Sequence, residues 1–343
     1  MFRKPTPADL RRHAESLGLE MTDGQVDDLH QLVSQLSEGF ELVEQLPDDL
    51  PPVKYPRSPG YRPGPEENPL GAWYVKTDIK GAKRGPLKGR KVAVKDNVCL
   101  AGVPMMNGAS ILEGYMPEID ATIVTRLLDA GAEIVGKAVC EYLSQAGGSS
   151  TSATGPVQNP RNPGYTPGGS STGNAALVSA GEVEMAMGTD QAGSIRIPCS
   201  YSGIVGVKPT WGLIPYTGIM SIEYSIDHTG PMTKTVADNA LYVDALAGPD
   251  EYDARQVGSK PRRIKPHLDK GAKGLKVAVV TEGFGQADSE PDVDAVVRQA
   301  AKHFESLGAT VKEVSIPWHS YGLPIWGAIS AGAEFNTLMV GYG

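Results

Sequence analysis

Three cysteines in 343 residues, Cys99, Cys140 and Cys199, are too few and too irregularly spaced for a disulfide framework or a paired-cysteine metal site. Their odd number suits a reducing compartment. Histidine is scarce too: His13, His30, His228, His267, His303 and His319 are scattered, and none stands in a motif beside a nucleophile. No apolar run approaches the roughly 20 residues of a membrane helix, and no signal-peptide pattern opens the chain. A soluble, cytoplasmic chain without membrane contact is expected. Positive charge is also lacking: 32 Lys and Arg against 40 Asp and Glu leave a net charge of −8. Such a balance offers no electrostatic footprint for nucleic acid. Finally, no serine has a lysine three residues later, which removes the S-x-x-K pattern of β-lactamases.

What is abundant is glycine, and it is concentrated where chemistry can use it. Gly168-Gly169-Ser170-Ser171-Thr172-Gly173 and Gly188-Thr189-Asp190-Gln191-Ala192-Gly193-Ser194-Ile195-Arg196-Ile197-Pro198 flank one apolar segment. That segment reads as a helix (Ala175, Ala176, Leu177, Val178, Ala180) followed by a short strand (Val183, Met185, Ala186, Met187), so both loops sit at the ends of ordered elements. Glycine lets backbone N–H groups approach a ligand closely. Two such loops converging on hydroxyls can supply a nucleophile and an oxyanion hole.

Other readings of the loops fail on detail. A phosphate-binding loop needs lysine after its last glycine, where this chain has Asn174 in one loop and Ser194 in the other. Gly169 to Gly173 matches the G-x-S-x-G elbow formally. That elbow requires a hydrophobic strand just before it, and the preceding Asn159 to Pro167 holds three prolines. Cys140, in Val139-Cys140-Glu141, is a candidate nucleophile of the nitrilase kind, but a small buried thiol is the expected role.

A base must then come from elsewhere. Arg90-Lys91-Val92-Ala93-Val94-Lys95-Asp96-Asn97-Val98 reads as a short β-branched strand with Lys91, Ala93 and Lys95 on one face. Standing alone, it would read as an edge strand with its lysines in solvent. With an ordinary pKa of about 10.4, roughly one lysine in 2,500 is neutral at pH 7. To serve as a base, Lys95 must be buried enough to disfavour its ammonium form by about 3–4 kcal/mol. The apolar flanks Val94 and Val98 make such burial plausible.

Taken together, the lysine strand, the two serine loops, Gly206-Val207-Lys208-Pro209-Thr210 and Asp227-His228-Thr229-Gly230-Pro231-Met232 resemble the amidase signature family over about residues 70 to 250. The resemblance implies a triad of Ser194 as nucleophile, Ser170 as a relaying hydroxyl on a cis peptide, and Lys95 as base. The spacing of the two serines is the one the family uses. Backbone N–H groups of Gln191, Ala192, Gly193 and Ser194 would form the oxyanion hole, with Asp190 and Arg196 supporting the loop. Thr172 departs from the family's usual Gly or Ser at a position that is not catalytic. Tyr142, Gln145 and Thr151, just before the first serine loop, and Ser171 within it are the expected substrate-binding residues. Neither metal nor cofactor is implied. The activity implied is hydrolysis of a small aliphatic or aromatic carboxylic amide to acid and ammonia. Two alternatives stand beside it: the glutamine-hydrolysing subunit of a tRNA-dependent amidotransferase, and a binding protein that keeps the fold without the chemistry. The long N-terminal extension speaks against the first, and the intact Lys95, Ser170 and Ser194 against the second.

Organisation along the chain follows hydrophobic periodicity. Residues 1–45 read as an amphipathic helical segment, and the resemblance to amidases that accompany nitrile hydratase favours a homodimerisation role for it. A proline-rich linker covers 46–69. From residue 70 to 343 strands and helices alternate: helix Asp120–Ala130 and strand Ala132–Val135, then strand Leu275–Val280, helix Pro291–Leu307 and strand Thr310–Ser315, with a helix-like stretch from Ile325 to Leu338. This order implies an α/β fold, a mixed and largely parallel sheet covered by helices on both faces.

Family members usually run considerably longer. The chain therefore reads as a truncated or split gene product lacking the strands and pocket wall that a C-terminal part contributes. On that reading the 343-residue chain exposes an apolar patch and a strand edge, and is aggregation-prone or inactive alone. Size-exclusion chromatography and ammonia release, compared with a version extended to full family length, check this. A monodisperse, fully active short chain would show the expectation to be wrong.

Overall fold

A computed structural model describes residues 3–340, with side chains as far as residue 332. The chain divides into two compact units, Met1–Leu50 and Pro51–Gly343. In the first, helices α1 (Pro7–Ser16) and α2 (Asp23–Glu44) pack on each other. Each begins with a capping box. Thr6 accepts from the Asp9 N–H while the Asp9 carboxylate takes the Thr6 N–H, and Thr22 and Gln25 repeat the exchange. The second capping box starts a new helix inside what the sequence reads as one amphipathic segment. Along α2, Leu32, Leu36 and Val43 form an exposed apolar stripe at helical spacing.

The second unit is built on a six-stranded sheet. Its strands are β1 (Trp73–Lys80), β2 (Lys91–Lys95), β3 (Glu133–Ala138), β4 (Met185–Asp190), β5 (Val205–Gly206) and β6 (His228–Thr233), in the order β1-β3-β2-β4-β6-β5. The centre, β3-β2-β4, is parallel, while β1 and β6 run antiparallel to their neighbours. Parallel strands are covered on both faces, so their sequences need not alternate. That explains why Val92, Ala93 and Val94 of β2 are all buried. On the sheet lie α3 (Thr122–Asp129) and α6 (Val236–Leu246), which pack together, and α4 (Thr172–Ala180) with α5 (Arg196–Ser202). Helices thus cover both faces of a mixed sheet.

Helix α4 is rich in alanine and buried all round from Thr172 to Val178, as a helix apolar on every side must be. It approaches the sheet so closely that a Cβ at Gly173 would lie 2.4 Å from the Ala72 carbonyl oxygen. Asn174 Nδ2 donates to the Met187 carbonyl at 2.8 Å, tying the start of α4 to β4. Further on, β7 (Lys276–Val280) and β8 (Thr310–Val314) form a separate parallel pair joined through α7 (Pro291–Ser306), followed by α8 (Gly322–Val340). Among the described residues, no helix is long and apolar enough to cross a membrane.

Strand β2 lies at the centre of the sheet rather than at an edge, between β3 and β4. Its last residue, Lys95, pairs in register with Ala138. A second lysine, Lys137 on β3, is also fully buried, with its Nζ 3.0 Å from Asp96 Oδ1. Burial pushes the Asp96 carboxyl above its ordinary value, against the pull of Lys137 and the N–H of Met106. Removing one partner of a buried ion pair costs about 3–5 kcal/mol, because the other charge is left uncompensated. Asp96→Ala is therefore expected to lower unfolding stability by that amount in urea titrations. Unchanged stability would show that the pair holds nothing together.

Candidate active site

The lysine at the end of β2 is enclosed, with no exposed surface. Its ammonium donates to Ser170 Oγ at 2.7 Å and to Thr189 Oγ1 at 2.9 Å. Asn97 Nδ2 donates to the same threonine oxygen at 3.2 Å. Burial is the largest influence on Lys95 and brings its pKa down from 10.5 to about 8, although nearby Cys140, Asp190, Asp227 and Glu141 act in the opposite sense. Its direct partners are neutral hydroxyls, so no touching carboxylate holds the proton on.

Ser170 comes to the lysine through the first glycine loop. The Gly169–Ser170 peptide is cis. The turn into it needs glycine at Gly168, whose φ is +79° and where a Cβ would meet Pro198 Cα at 2.8 Å. The two loops are joined by the Ser171 N–H, which donates to the Ser194 carbonyl at 3.3 Å, while Ser171 Oγ donates to the Thr189 carbonyl at 3.4 Å. Ser194 Oγ makes no hydrogen bond to Ser170 Oγ among the described residues. It opens instead onto a cavity of about 550 Å³.

The loop that carries Ser194 is organised by one carboxylate. Asp190, at the end of β4, accepts from the N–H groups of Gly193 at 2.9 Å and Ile195 at 3.1 Å, and from Arg196 Nε at 3.0 Å and Nη2 at 2.8 Å. Burial pushes Asp190 up, but the Arg196 guanidinium and these N–H groups outweigh it and hold the carboxyl below its ordinary value. The Gly193 N–H is thereby committed to Asp190. Of the four N–H groups expected at an oxyanion hole, those of Gln191, Ala192 and Ser194 donate to no acceptor among the described residues.

The cavity is lined by Gln191, Ala192 and Ser194 on the loop, by Gln145 and by the apolar side chains of Ile197, Ile222, Leu323 and Trp326. Gln145 is thus at the cavity. Tyr142, Thr151 and Ser171 are not. The Tyr142 N–H donates to Thr151 Oγ1, Thr151 in turn donates to Glu141 Oε2 at 2.6 Å, and Ser171 is fully buried between the two loops. Cys140 is enclosed and pushed by burial up to about 12, which leaves it a thiol and not a nucleophile. Sequence reasoning missed Thr189 as a partner of the lysine and Asn97 as a donor to that threonine. Both stand inside the motifs, but only the placement of β2 beside β4 shows what they touch. Trp326 and Leu323 on α8 carried no motif at all.

With this geometry in place, the comparisons are specific. Residues 67–340 match the profile of the Amidase family, and the chain belongs to that family. It is similar to an enantioselective amidase of Rhodococcus rhodochrous, 50% identical over 283 residues that cover 80% of this chain and 54% of the relative. It is also similar to a glutamyl-tRNA(Gln) amidotransferase subunit of Methanosarcina acetivorans, 42% identical over 248 residues, covering 72% and 52%. Among solved structures, the corresponding glutamyl-tRNA(Gln) amidotransferase subunit from Thermotoga maritima superimposes with a TM-score of 0.73 at 36% identity, covering 77% of this chain and 58% of that one. The native peptide amidase of Stenotrophomonas maltophilia does so with 0.70 at 29% identity, covering 80% and 61%. The amidase signature fold expected from the motifs is the one observed. The chain spans about half the length of the curated relatives it matches.

The Asp190 hub generates a test. Asp190→Ala strips buried N–H groups of their acceptor at about 1–3 kcal/mol each and releases the Ser194 loop. Thermal unfolding should shift down, and labelling of Ser194 by a fluorophosphonate should slow. A variant with parental melting temperature and labelling rate would show that the loop holds itself.

Proposed function

We propose that this chain carries the catalytic machinery of an amidase that hydrolyses a small, uncharged carboxylic amide to acid and ammonia through an acyl-serine. The observation that carries the reading is the 2.7 Å hydrogen bond from buried Lys95 to Ser170 Oγ, beneath a cavity that opens on Ser194. Near its pKa of about 8, Lys95 is neutral in roughly one molecule in ten at pH 7. Neutral Lys95 takes the Ser170 proton as Ser170 takes that of Ser194. The Ser194 oxygen bonds the acyl carbon, and the carbonyl oxygen becomes an oxyanion facing the N–H groups of Gln191, Ala192 and Ser194. The C–N bond then breaks, and the nitrogen leaves as ammonia with the returned proton. Water repeats the sequence on the acyl-serine, releasing the acid and restoring the Ser194 hydroxyl.

An uncharged substrate is supported by the cavity. Its apolar side chains are Ile197, Ile222, Leu323 and Trp326, and the ionisable residue at its edge, Arg196, has both Nε and Nη2 engaged by Asp190. No free cation among the described lining residues is available to a glutamine carboxylate. The similarity to the amidotransferase subunits nonetheless makes glutamine the competing substrate. For the N-terminal unit, residues 1–45 and the exposed stripe Leu32, Leu36 and Val43 support pairing of two copies into a dimer, with 46–69 as the linker to the catalytic part.

Ammonia release from benzamide, propionamide and glutamine tests the reading, with glutamine expected to be the poorest of the three. Ser194→Ala should abolish turnover. Lys95→Ala should cost about 10²–10⁴-fold, and Lys95→Arg should not restore activity, because arginine keeps its proton. Since the base must be neutral, kcat/KM should fall about tenfold per pH unit below about 8 and level off above it. Glutamine as the best substrate, an acyl adduct on Ser171, or an active arginine variant would each refute the proposal.

A further inference from the structure

Gln191 lines the cavity and its backbone N–H has no acceptor among the described residues, while its side chain is held in a polar network that the acyl-serine chemistry does not use. The register of the sheet creates this. β4 and β6 are antiparallel with Asp190 opposite His228, so Gln191 and Asp227 continue the ladder just beyond its last pair. Asp227 is almost fully buried. Its carboxylate takes the side-chain amide of Gln191, the hydroxyl of Ser221, and the N–H groups of Ile222 at 3.2 Å and Glu223 at 3.3 Å. A carboxylate only accepts, which fixes the Gln191 amide with its NH₂ toward Asp227. The same Nε2 reaches Tyr216 Oη at 3.1 Å.

We infer that Asp227 is a positioning residue for the Ser194 chemistry, acting through the Gln191 side chain to hold the Gln191 N–H toward the oxyanion. The inference rests on the proposed acyl-serine reading. One carboxylate ties the Gln191 side chain to Ile222 on the cavity wall, and Tyr216 joins the same amide. Asp190 fixes the loop from its far side, through Gly193 and Ile195. Those bonds leave out the Gln191 N–H, so the orientation of that peptide depends on what its side chain grips. Burial pushes the Asp227 carboxyl up against the pull of Ser221 and Gln191.

The test compares parent, Asp227→Asn, Gln191→Ala and the double variant, with two readouts: the rate of Ser194 labelling by a fluorophosphonate and benzamide kinetics. Gln191→Ala keeps the backbone N–H and deletes only its anchor. Each single variant should label about 10–100-fold more slowly, and kcat should fall with KM changed little, since the oxyanion contact exists only in the transition state. The double variant should be no slower than the worse single, because both changes cut one link. Labelling within about twofold of the parent in Gln191→Ala, or fully additive losses, would overturn the inference while leaving the acyl-serine reading intact. If Asp227→Asn does not fold, Gln191→Ala decides alone, since it leaves the carboxylate its other donors. A parent chain that neither labels at Ser194 nor releases ammonia would overturn both.

Discussion

The structure turns on one amine kept dry. An ammonium removed from water loses several kcal/mol of solvation unless a counter-charge replaces it, and Lys95 has hydroxyls as direct partners instead. The two buried lysines of the sheet make the contrast plain. Lys137 has a carboxylate 3.0 Å away and belongs to the scaffold. Lys95, one strand over, lies among carboxylates that act on it only from a distance, and burial prevails. Only the centre of a covered parallel sheet can hold a lysine this way. At an edge the same side chain would reach solvent and keep its proton.

Around that amine the structure separates rigidity from exposure. Asp190 collects the N–H groups of Gly193 and Ile195 and leaves those of Gln191, Ala192 and Ser194 without an acceptor among the described residues. Its ion pair with Arg196 sits half in solvent on the arginine side and fully buried on the aspartate side. Such a pair is screened at its outer end and firm at its inner one. The loop is thus held by a carboxylate that does not itself line the cavity, which is what preorganised stabilisation of a developing charge would require.

Much of this was legible in the chain because glycine and serine are informative when their spacing is. The lysine strand, both serine loops and the alternation of strands and helices lie where the sequence puts them, with ends shifted by a residue or a few: helix α3 spans Thr122–Asp129 within the expected Asp120–Ala130, and β3 runs on to Ala138. What could not be read were relations across the sheet. Thr189 meets Lys95 and Asn97 because β2 lies beside β4, and Asp227 meets Gln191 because β4 pairs with β6 in one register. No local pattern encodes either. Tyr142 and Thr151, which do not line the cavity, show the same limit of local sequence. They are near Ser170 in sequence, but Glu141 holds Thr151 away from the cavity. The apolar wall from α8 was invisible because Leu323 and Trp326 look like any residues of a helix packed on its neighbours.

That last wall has a consequence of its own. The groups that could make and break bonds lie between residues 95 and 194, whereas Leu323 and Trp326 arrive from more than a hundred residues later, on a helix whose described residues contribute no donor to the Ser194 loop. On the proposed reading, the reacting groups and this part of the cavity wall are therefore written in different stretches of the chain. Selection can reshape the second without disturbing the electrostatics of the first. A scaffold divided in this way can diversify by exchanging one helix face, which suits a family whose relatives carry names as different as enantioselective amidase, peptide amidase and tRNA-dependent amidotransferase.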